Sequence, residues 1–164
     1  MRYEQLFAEL HDAGIRYLVA GGMAVNLHGY VRATLDLDLI VSFGDRNLSA
    51  FIGLAAGLGL SPTAPVELGD LASPDRRRLW FEEKGMRAFC LHSPDDPLHR
   101  VDVLIDPGID FEGLYSRRLV LELRGTPLPL VSLRDLIEMK ERSQRARDRS
   151  DARELRALED ELER

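Results

Sequence analysis

The chain has 164 residues, of which 45% are hydrophobic and 30% charged, a mixture that predicts one folded domain and excludes general disorder. Its formal net charge of -6 gives it no overall positive field that would collect nucleic acid non-specifically. No apolar stretch is long enough to span a bilayer, and the N-terminus lacks the apolar region of a signal peptide, so we expect no membrane partner. The single cysteine, Cys90, lies in an apolar run and predicts a buried thiol in a reducing, cytoplasmic compartment.

The first half of the chain alternates helical and strand-like patterns. Apolar residues at helical spacing predict a first helix that Gly14 closes, and short apolar, β-prone runs predict strands. After the first helix, the predicted elements are a strand over 16–20, a helix over 23–28, a strand over 35–41 and a helix over 47–58.

The second half begins with a Gly- and Pro-containing stretch, 59–73, that predicts a loop with a short strand. The next predicted elements are a helix over 75–83 and two strands, 86–91 and 100–105, which a polar connection over 93–97 joins. A hairpin of 119–123 and 128–131 follows. The chain is then predicted to form a helix over 133–143, with Ser132 as its N-cap, and a charged helix over 147–163. This order predicts an α/β (α+β) domain with a mixed sheet. We expect a core over 1–131 and a C-terminal helical extension over 132–164 that packs on the same domain.

Two aspartates, Asp36 and Asp38, lie in the predicted second strand between the leucines 35, 37 and 39. Residues i and i+2 of a strand point to the same face, so the two carboxylates stand side by side, roughly 6–7 Å apart at the backbone. Like charges so close raise each other's pKa unless a cation lies between them. With no His or Cys at metal-ligand spacing, a hard cation such as Mg²⁺ or Mn²⁺ is favoured over zinc. The alternative is a solvated face of a half-buried sheet.

A third carboxylate, Asp102, lies between two valines in a later strand. If that strand neighbours the first pair, the three acids can bind two cations, one on substrate phosphates and one near an attacking hydroxyl. Asp102 would then be nearest the nucleophile, as a ligand or general base. The alternative is an edge residue that pairs with Arg100 or Arg32.

The pair Gly21-Gly22 follows a predicted strand and precedes a predicted helix. Glycines let a backbone approach a phosphate closely, and a helix N-terminus supplies N–H donors. The pair matches neither the dinucleotide-binding nor the P-loop motif, and it could equally be a plain turn.

At these residues the sequence resembles the nucleotidyltransferase superfamily with the DNA polymerase beta-like fold, whose pattern is a Gly-Gly or Gly-Ser turn, an Asp-x-Asp pair and a later Asp. The stretch from Val19 to Leu39 is more narrowly similar to bacterial AbiEii-type and minimal nucleotidyltransferase-like proteins, which often occur in toxin–antitoxin or phage-defence pairs. That similarity also covers 129–140 and the acidic positions Asp148 and Asp151. Gly22 is a departure, because many members have serine there, and it leaves only backbone donors.

The resemblance implies a mixed twisted sheet flanked by helices and a divalent cation, Mg²⁺ or Mn²⁺, on Asp36, Asp38 and Asp102. It implies transfer of a nucleoside monophosphate from a nucleoside triphosphate to a hydroxyl of a protein, an RNA such as tRNA, or a small molecule.

Three further side chains are candidate nucleotide contacts. Lys140 could reach the triphosphate as a point charge, and Arg32 and Thr34 could touch phosphate or orient Asp36. Their alternatives are a surface lysine, an ion pair and a strand hydroxyl. Asp148 and Asp151 are expected to cap a helix or to pair with Arg147 and Lys140.

Three hypotheses on function remain open. One is a structural α/β protein whose aspartates are only solvated, and the other two give the site a function. The first of these is a metal-dependent nucleotidyltransferase. The second is a catalytically weak or inert module of the same fold that serves as an antitoxin or regulatory subunit beside a cognate partner.

Overall fold

The computed structural model of the chain describes residues 3–93 and 96–164, without the side chains of Pro97 and Leu98. The helices of the described residues are α1 (Tyr3–Asp12), α2 (Gly21–Leu27), α3 (Asp45–Gly57), α4 (Pro74–Glu82), α5 (Phe111–Ser116), α6 (Leu133–Arg142) and α7 (Ala146–Leu162), with a short 3-10 helix at Leu68–Ala72. The strands are β1 (Tyr17–Ala20), β2 (Leu37–Val41), β3 (Ser61–Pro62), β4 (Ala88–Ser93), β5 (Asp96–Leu104), β6 (Leu119–Leu123) and β7 (Thr126–Leu130).

The strands form one mixed sheet in the order β3-β4-β5-β2-β1-β7-β6. β2 runs parallel to β5, and β1 runs parallel to β7, whereas the other neighbours are antiparallel. The predicted mixed α/β fold is therefore confirmed. Leu37, Leu39 and Val103 are completely buried, so the centre of the sheet carries the hydrophobic core on one side.

Most predicted elements are present because their local signals are unambiguous. α1 buries Leu6, Phe7 and Leu10 at helical spacing, as predicted. α6 begins after Ser132, whose hydroxyl accepts a hydrogen bond from the backbone N–H of Asp135, as expected for an N-cap. The β6–β7 hairpin is also confirmed.

Several element boundaries differ from the prediction. β2 begins at Leu37 rather than at residue 35, and the side chain of Leu35 is 58% exposed instead of facing the core. α2 begins at Gly21, so the two glycines form its first turn rather than a break before it. β4 extends to Ser93 and β5 starts at Asp96, where a polar connection was predicted; residues 94 and 95 of that connection lie outside the described residues.

The helix α5 was not predicted. Its N-cap is Asp110, whose side chain accepts a hydrogen bond from the N–H of Gly113. A helix of six residues is too short to show a clear hydrophobic period, which explains why the sequence pattern missed it.

The last two helices pack on the sheet through the same core. Leu136 and Ile137 of α6 and Leu155 of α7 are buried in the cluster that includes the central strands. The division into a core and a helical extension remains a prediction. Within the described part of the chain, no helix combines the length and the apolar character needed to cross a bilayer.

Candidate active site

Four charged side chains lie on one face of the parallel strands β2 and β5. Asp38 is the register partner of Asp102, and one pleat earlier Asp36 lies beside Arg100. The guanidinium of Arg100 donates to both carboxylate oxygens of Asp36, with Nε–Oδ1 at 3.1 Å and Nη2–Oδ2 at 2.7 Å. The strand pairing thus brings all three predicted carboxylates together, but it adds an arginine that one of them already binds.

The Asp38 and Asp102 carboxyls both have raised pKa values. Burial is the main reason why the pKa of Asp38 lies above its ordinary value, and the charge of Asp102 raises it further. The N–H of Gly22 and the charge of Lys140 act in the opposite direction. Burial likewise raises the pKa of Asp102, while the Cys90 thiol and Arg100 partly offset it. A pair of this kind is stabilised by any cation placed between its oxygens.

Gly21 lies directly against Asp38. A methyl group at the Cβ position of Gly21 would come within 1.8 Å of Asp38 Oδ2, and the φ angle of Gly21 is +56°. Only glycine therefore allows the first turn of α2 to approach the carboxylate this closely. Whether Gly21 and Gly22 also bind a phosphate remains a prediction.

The space above Gly22 is filled by two of the predicted nucleotide contacts. A Cβ atom at Gly22 would lie 2.7 Å from Arg32 Nη2 and 2.7 Å from Thr34 Oγ1. Arg32 and Thr34 thus occupy the space that a serine side chain at position 22 would need. The structure places both residues against Gly22, in the first turn of α2.

Lys140 lies in a buried network of charges rather than on an open surface. Its Nζ contacts Asp148 Oδ1 at 2.5 Å and Asp151 Oδ2 at 2.9 Å, and its side chain is 10% exposed. Asp151 also forms an ion pair with Arg32, in which Arg32 Nε lies 2.9 Å from Asp151 Oδ1. The expected pairing of Lys140 with both aspartates is present, whereas Arg147 donates to the carbonyl oxygen of Ala33. A role of Lys140 in binding nucleotide remains a prediction and requires it to leave these partners.

An open cavity of about 390 Å³ adjoins Asp102. Its wall includes Thr63, Val66, Met86 and Cys90, together with Arg145. Cys90 is half-buried in the register position next to Asp102, so it is not the fully buried thiol that its apolar run predicts. Burial and the charge of Asp102 raise the pKa of this thiol to about 12, which keeps it protonated.

Sequence reasoning missed two residues of the site. Arg100 was considered only as a partner of Asp102, although its spacing of two from Asp102 places it on the same face of β5. Tyr3 on α1 donates to the carbonyl oxygen of Leu35, and its hydroxyl lies 3.0 Å from the carbonyl oxygen of Arg100. No local pattern could have indicated this contact, because Tyr3 is 97 residues from Arg100 in the chain.

The donor set at Asp38 and Asp102 fits a hard divalent cation. Asp102 Oδ1 is buried and has no hydrogen-bond partner in the described structure, so it has an unused acceptor position. No group of three or more His, Cys, Asp or Glu side chains in residues 3–93 and 96–164 is arranged to hold a metal. Magnesium in proteins usually needs only one or two carboxylates plus water and phosphate oxygens, which Asp38 and Asp102 can provide.

Comparison with known proteins gives structural matches only. No protein-family model matches the chain, and no curated protein sequence matches it significantly. The lincosamide antibiotic adenylyltransferase LnuA, solved with lincomycin bound, superposes with a TM-score of 0.62 at 12% identity, covering 95% of each chain. The enzyme ANT(2")-Ia, solved with adenylyl-2"-tobramycin, gives 0.54 at 13% identity, covering 95% of this chain and 91% of that one.

An antigenic nucleotidyltransferase-like protein from Paracoccidioides brasiliensis gives a TM-score of 0.55 at 18% identity, over 93% of this chain and 71% of that protein. The chain has a nucleotidyltransferase fold. Sequence identities this low establish the shared architecture of the nucleotidyltransferase-fold chain and leave its activity to be argued from its own residues. The narrower similarity to AbiEii-type proteins remains a prediction.

Proposed function

We propose that the chain is a metal-dependent nucleotidyltransferase that moves a nucleoside monophosphate from a nucleoside triphosphate to a hydroxyl group. The observation that carries this proposal is the pairing of Asp38 with Asp102 at one register position, next to the glycine turn that begins α2. Two partly buried carboxylates with raised pKa values, on neighbouring strands of one sheet, cost folding free energy at neutral pH, which favours a role in binding a cation and its phosphate ligand.

Each residue of the candidate site has its own role in the proposed reaction. Asp38 and Asp102 would hold Mg²⁺, which when bound neutralises charge on the phosphate oxygens. Asp102 adjoins the cavity and is placed to accept the proton of the acceptor hydroxyl. The hydroxyl oxygen forms a bond to the α-phosphorus, the bond from that phosphorus to the bridging oxygen breaks, and pyrophosphate leaves with the electron pair. Arg32 and Thr34, above Gly22, would orient the phosphates.

We propose a small molecule as the acceptor. The cavity beside Asp102 has a size typical of small-ligand sites, with apolar walls and few polar groups. Two of the structural neighbours were solved with small molecules bound. One is the lincosamide antibiotic adenylyltransferase with lincomycin, and the other is ANT(2")-Ia with adenylyl-2"-tobramycin. A protein or tRNA hydroxyl, which the sequence resemblance also implies, would have to reach the same cavity.

The test is transfer of label from α-³²P nucleoside triphosphates with Mg²⁺, using each of the common bases in turn. The acceptors are a set of hydroxyl compounds that includes lincosamides and aminoglycosides, bulk tRNA and the proteins of a cell extract. We expect a labelled product with the native chain and none with Asp38→Asn or Asp102→Asn. Asp45→Asn, which changes an exposed carboxylate at the start of α3, is the matched control and should retain transfer. Transfer by Asp38→Asn at the native rate would refute the proposal.

The second candidate is an inert binding module of the same fold, and one contact favours it. Arg100 neutralises Asp36, one of the three predicted carboxylates, through two hydrogen bonds. Such a protein would bind Mg²⁺ and nucleotide without transfer and could act beside a toxin or antitoxin partner, as the sequence resemblance implies. Calorimetric binding of a non-hydrolysable triphosphate with Mg²⁺, in the absence of any labelled product, would favour this candidate over the enzyme.

A further inference from the structure

The contact between Arg100 and Asp36 has features of an exchangeable pair. The side chain of Arg100 is 45% exposed and that of Asp36 is 37% exposed. Solvent therefore screens their attraction, and the ion pair contributes little net free energy to folding. The Asp38–Asp102 pair one pleat away is more buried and has no arginine of its own. The guanidinium therefore sits on the most accessible of the three carboxylates.

A contact from α1 reaches the backbone on both sides of this pair. The Tyr3 hydroxyl donates to the carbonyl oxygen of Leu35 and lies beside that of Arg100, thereby joining the residue before Asp36 to β5. Burial and the charge of Asp36 raise the pKa of Tyr3, which stays protonated and able to donate. Asp36 and Arg100 can separate by rotation of their side chains without any change in strand register.

We propose that Arg100 competes with a divalent cation for Asp36. While the guanidinium occupies Asp36, Asp38 and Asp102 are the carboxylates left to act as ligands. Asp36 joins them only when Arg100 turns away. This inference rests on the proposed function, since it assumes that the carboxylates bind a cation.

A triphosphate is the natural group to draw Arg100 away. A guanidinium binds phosphate oxygens in the same two-pronged manner as a carboxylate. Arg100 would thus be a positioning residue that couples arrival of the polyphosphate to completion of the cation site. Without nucleotide, the protein would bind its cation weakly. The nucleotide would bring a cation with it, and its phosphates would bind Arg100 and so release Asp36.

The experiment measures Mn²⁺ affinity by the electron paramagnetic resonance signal of free Mn²⁺, in the absence of nucleotide. The variants are Arg100→Gln, Asp36→Asn and the double variant, with thermal melting of each to show that it is folded. Arg87→Gln is the matched control, because Arg87 is an arginine near Asp102 in the cavity wall but places its guanidinium on the ring of Phe81 rather than on a carboxylate.

We expect Arg100→Gln to bind Mn²⁺ roughly three- to tenfold more tightly than the native chain, since release of an exposed ion pair frees one ligand. In the Asp36→Asn background, Arg100→Gln should change the Mn²⁺ affinity by less than about twofold, because Arg100 acts on the cation site through Asp36 and the two substitutions are therefore coupled. Arg87→Gln should match the native chain. An unchanged affinity in Arg100→Gln, or an equal gain with and without Asp36, overturns the inference.

These outcomes are independent of the transfer assay. A native chain that transfers nucleotide while Arg100→Gln gains no Mn²⁺ affinity loses only the competition proposal. A chain that never transfers nucleotide, but gains Mn²⁺ affinity through Asp36 when Arg100 is replaced, keeps the competition and loses the enzymatic function. Failure of every variant to bind Mn²⁺ overturns the inference.

Discussion

Asp38 and Asp102 face each other across the parallel strands β2 and β5, on the sheet face opposite to the buried Leu37, Leu39 and Val103. The pKa of each carboxyl lies above its ordinary value, with burial as the largest cause. Their ionised forms therefore oppose folding, and the cation-free protein bears this cost at neutral pH.

Replacement of one member of this pair should stabilise the cation-free protein. Asp38→Asn keeps the size of the side chain and an oxygen that can accept from the N–H of Gly22, but it removes the charge. We expect the free energy of unfolding to rise by about 0.5–2 kcal/mol in the presence of EDTA, as is common when a functional group is removed. Differential scanning fluorimetry with EDTA, and again with Mg²⁺, measures both this gain and the expected loss of stabilisation by the metal.

The exposed Asp45 provides the control, since Asp45→Asn should leave both melting temperatures within experimental error. A lower melting temperature for Asp38→Asn in EDTA would contradict the view that the two carboxylates repel each other in the folded state.

The sequence was sufficient to predict the acidic site because its signals are local. Alternation fixes Asp36 and Asp38 on one face, and a charged residue between two valines marks Asp102 on a second core strand. The mixed sheet follows from the order of the elements. The adjacency of the two strands came from the family resemblance and from the assumption that their acids converge.

What the sequence did not predict depends on contacts between distant segments. Arg100 binds Asp36 across 64 residues, and Arg32 binds Asp151 across 119 residues. A single sequence contains no signal for such pairs, because many arginines and aspartates have compatible charge and only the packing selects among them. The pairing of Lys140 with Asp148 and Asp151, which follow it closely in the chain, was by contrast predicted.

The close approach of Gly21 to Asp38 predicts a position-specific effect of a single methyl group. Gly21→Ala combines a positive φ angle with a contact of 1.8 Å to Asp38 Oδ2, so we expect a loss of more than about 2 kcal/mol in stability and loss of metal-dependent nucleotide binding. Urea unfolding and calorimetry with Mg²⁺ and a non-hydrolysable triphosphate measure the two effects.

Gly59→Ala is the matched control for backbone strain. Gly59 also has a positive φ, +71°, but an added methyl group would meet nothing within 4 Å. It should cost only about 1 kcal/mol, the usual penalty for this conformation, and it should leave nucleotide binding unchanged. Equal effects of the two substitutions would show that the contact with Asp38 carries no function.

The pair of Asp148 with Lys140 predicts a pH-dependent contribution to stability. Burial alone would raise the pKa of Asp148, but hydrogen bonds from Lys140 and Ser143 outweigh it and hold this pKa below its ordinary value of 3.8. A lowered pKa means that the stabilisation is complete above the unfolded value and is lost as the pH falls through the folded value. Asp148→Asn should therefore cost about 1.5–3 kcal/mol near neutral pH and progressively less below about pH 3.8.

Urea unfolding of the native chain and Asp148→Asn, at several pH values from neutral to acidic, gives the difference curve. Asp75→Asn is the control, because the ion pair of Asp75 with Arg78 is exposed and should contribute less than about 1 kcal/mol at any pH. A difference for Asp148 that stays constant into the acidic range would show that its charge is not the stabilising factor.

A serine after the first glycine, which is common in the nucleotidyltransferases that the sequence resembles, should be unfavourable in this chain. In Gly22→Ser, the new Cβ atom would lie 2.7 Å from Arg32 Nη2 and 2.7 Å from Thr34 Oγ1. Arg32 cannot yield freely, because the buried carboxylate of Asp151 holds its guanidinium. We expect Gly22→Ser to lower the free energy of unfolding by about 1–3 kcal/mol, the usual cost of overpacking.

A double-mutant cycle with Thr34 isolates the cause. Thr34→Ala removes one of the two groups that a side chain at position 22 would meet, so the Gly22→Ser penalty should be smaller in that background by at least about 0.5 kcal/mol. The same two substitutions change nucleotide affinity only if the space above Gly22 accommodates a phosphate. If Gly22→Ser is as stable as the native chain in both backgrounds, the Arg32 and Thr34 side chains do not occupy the serine position, and the closed arrangement around the start of α2 is wrong.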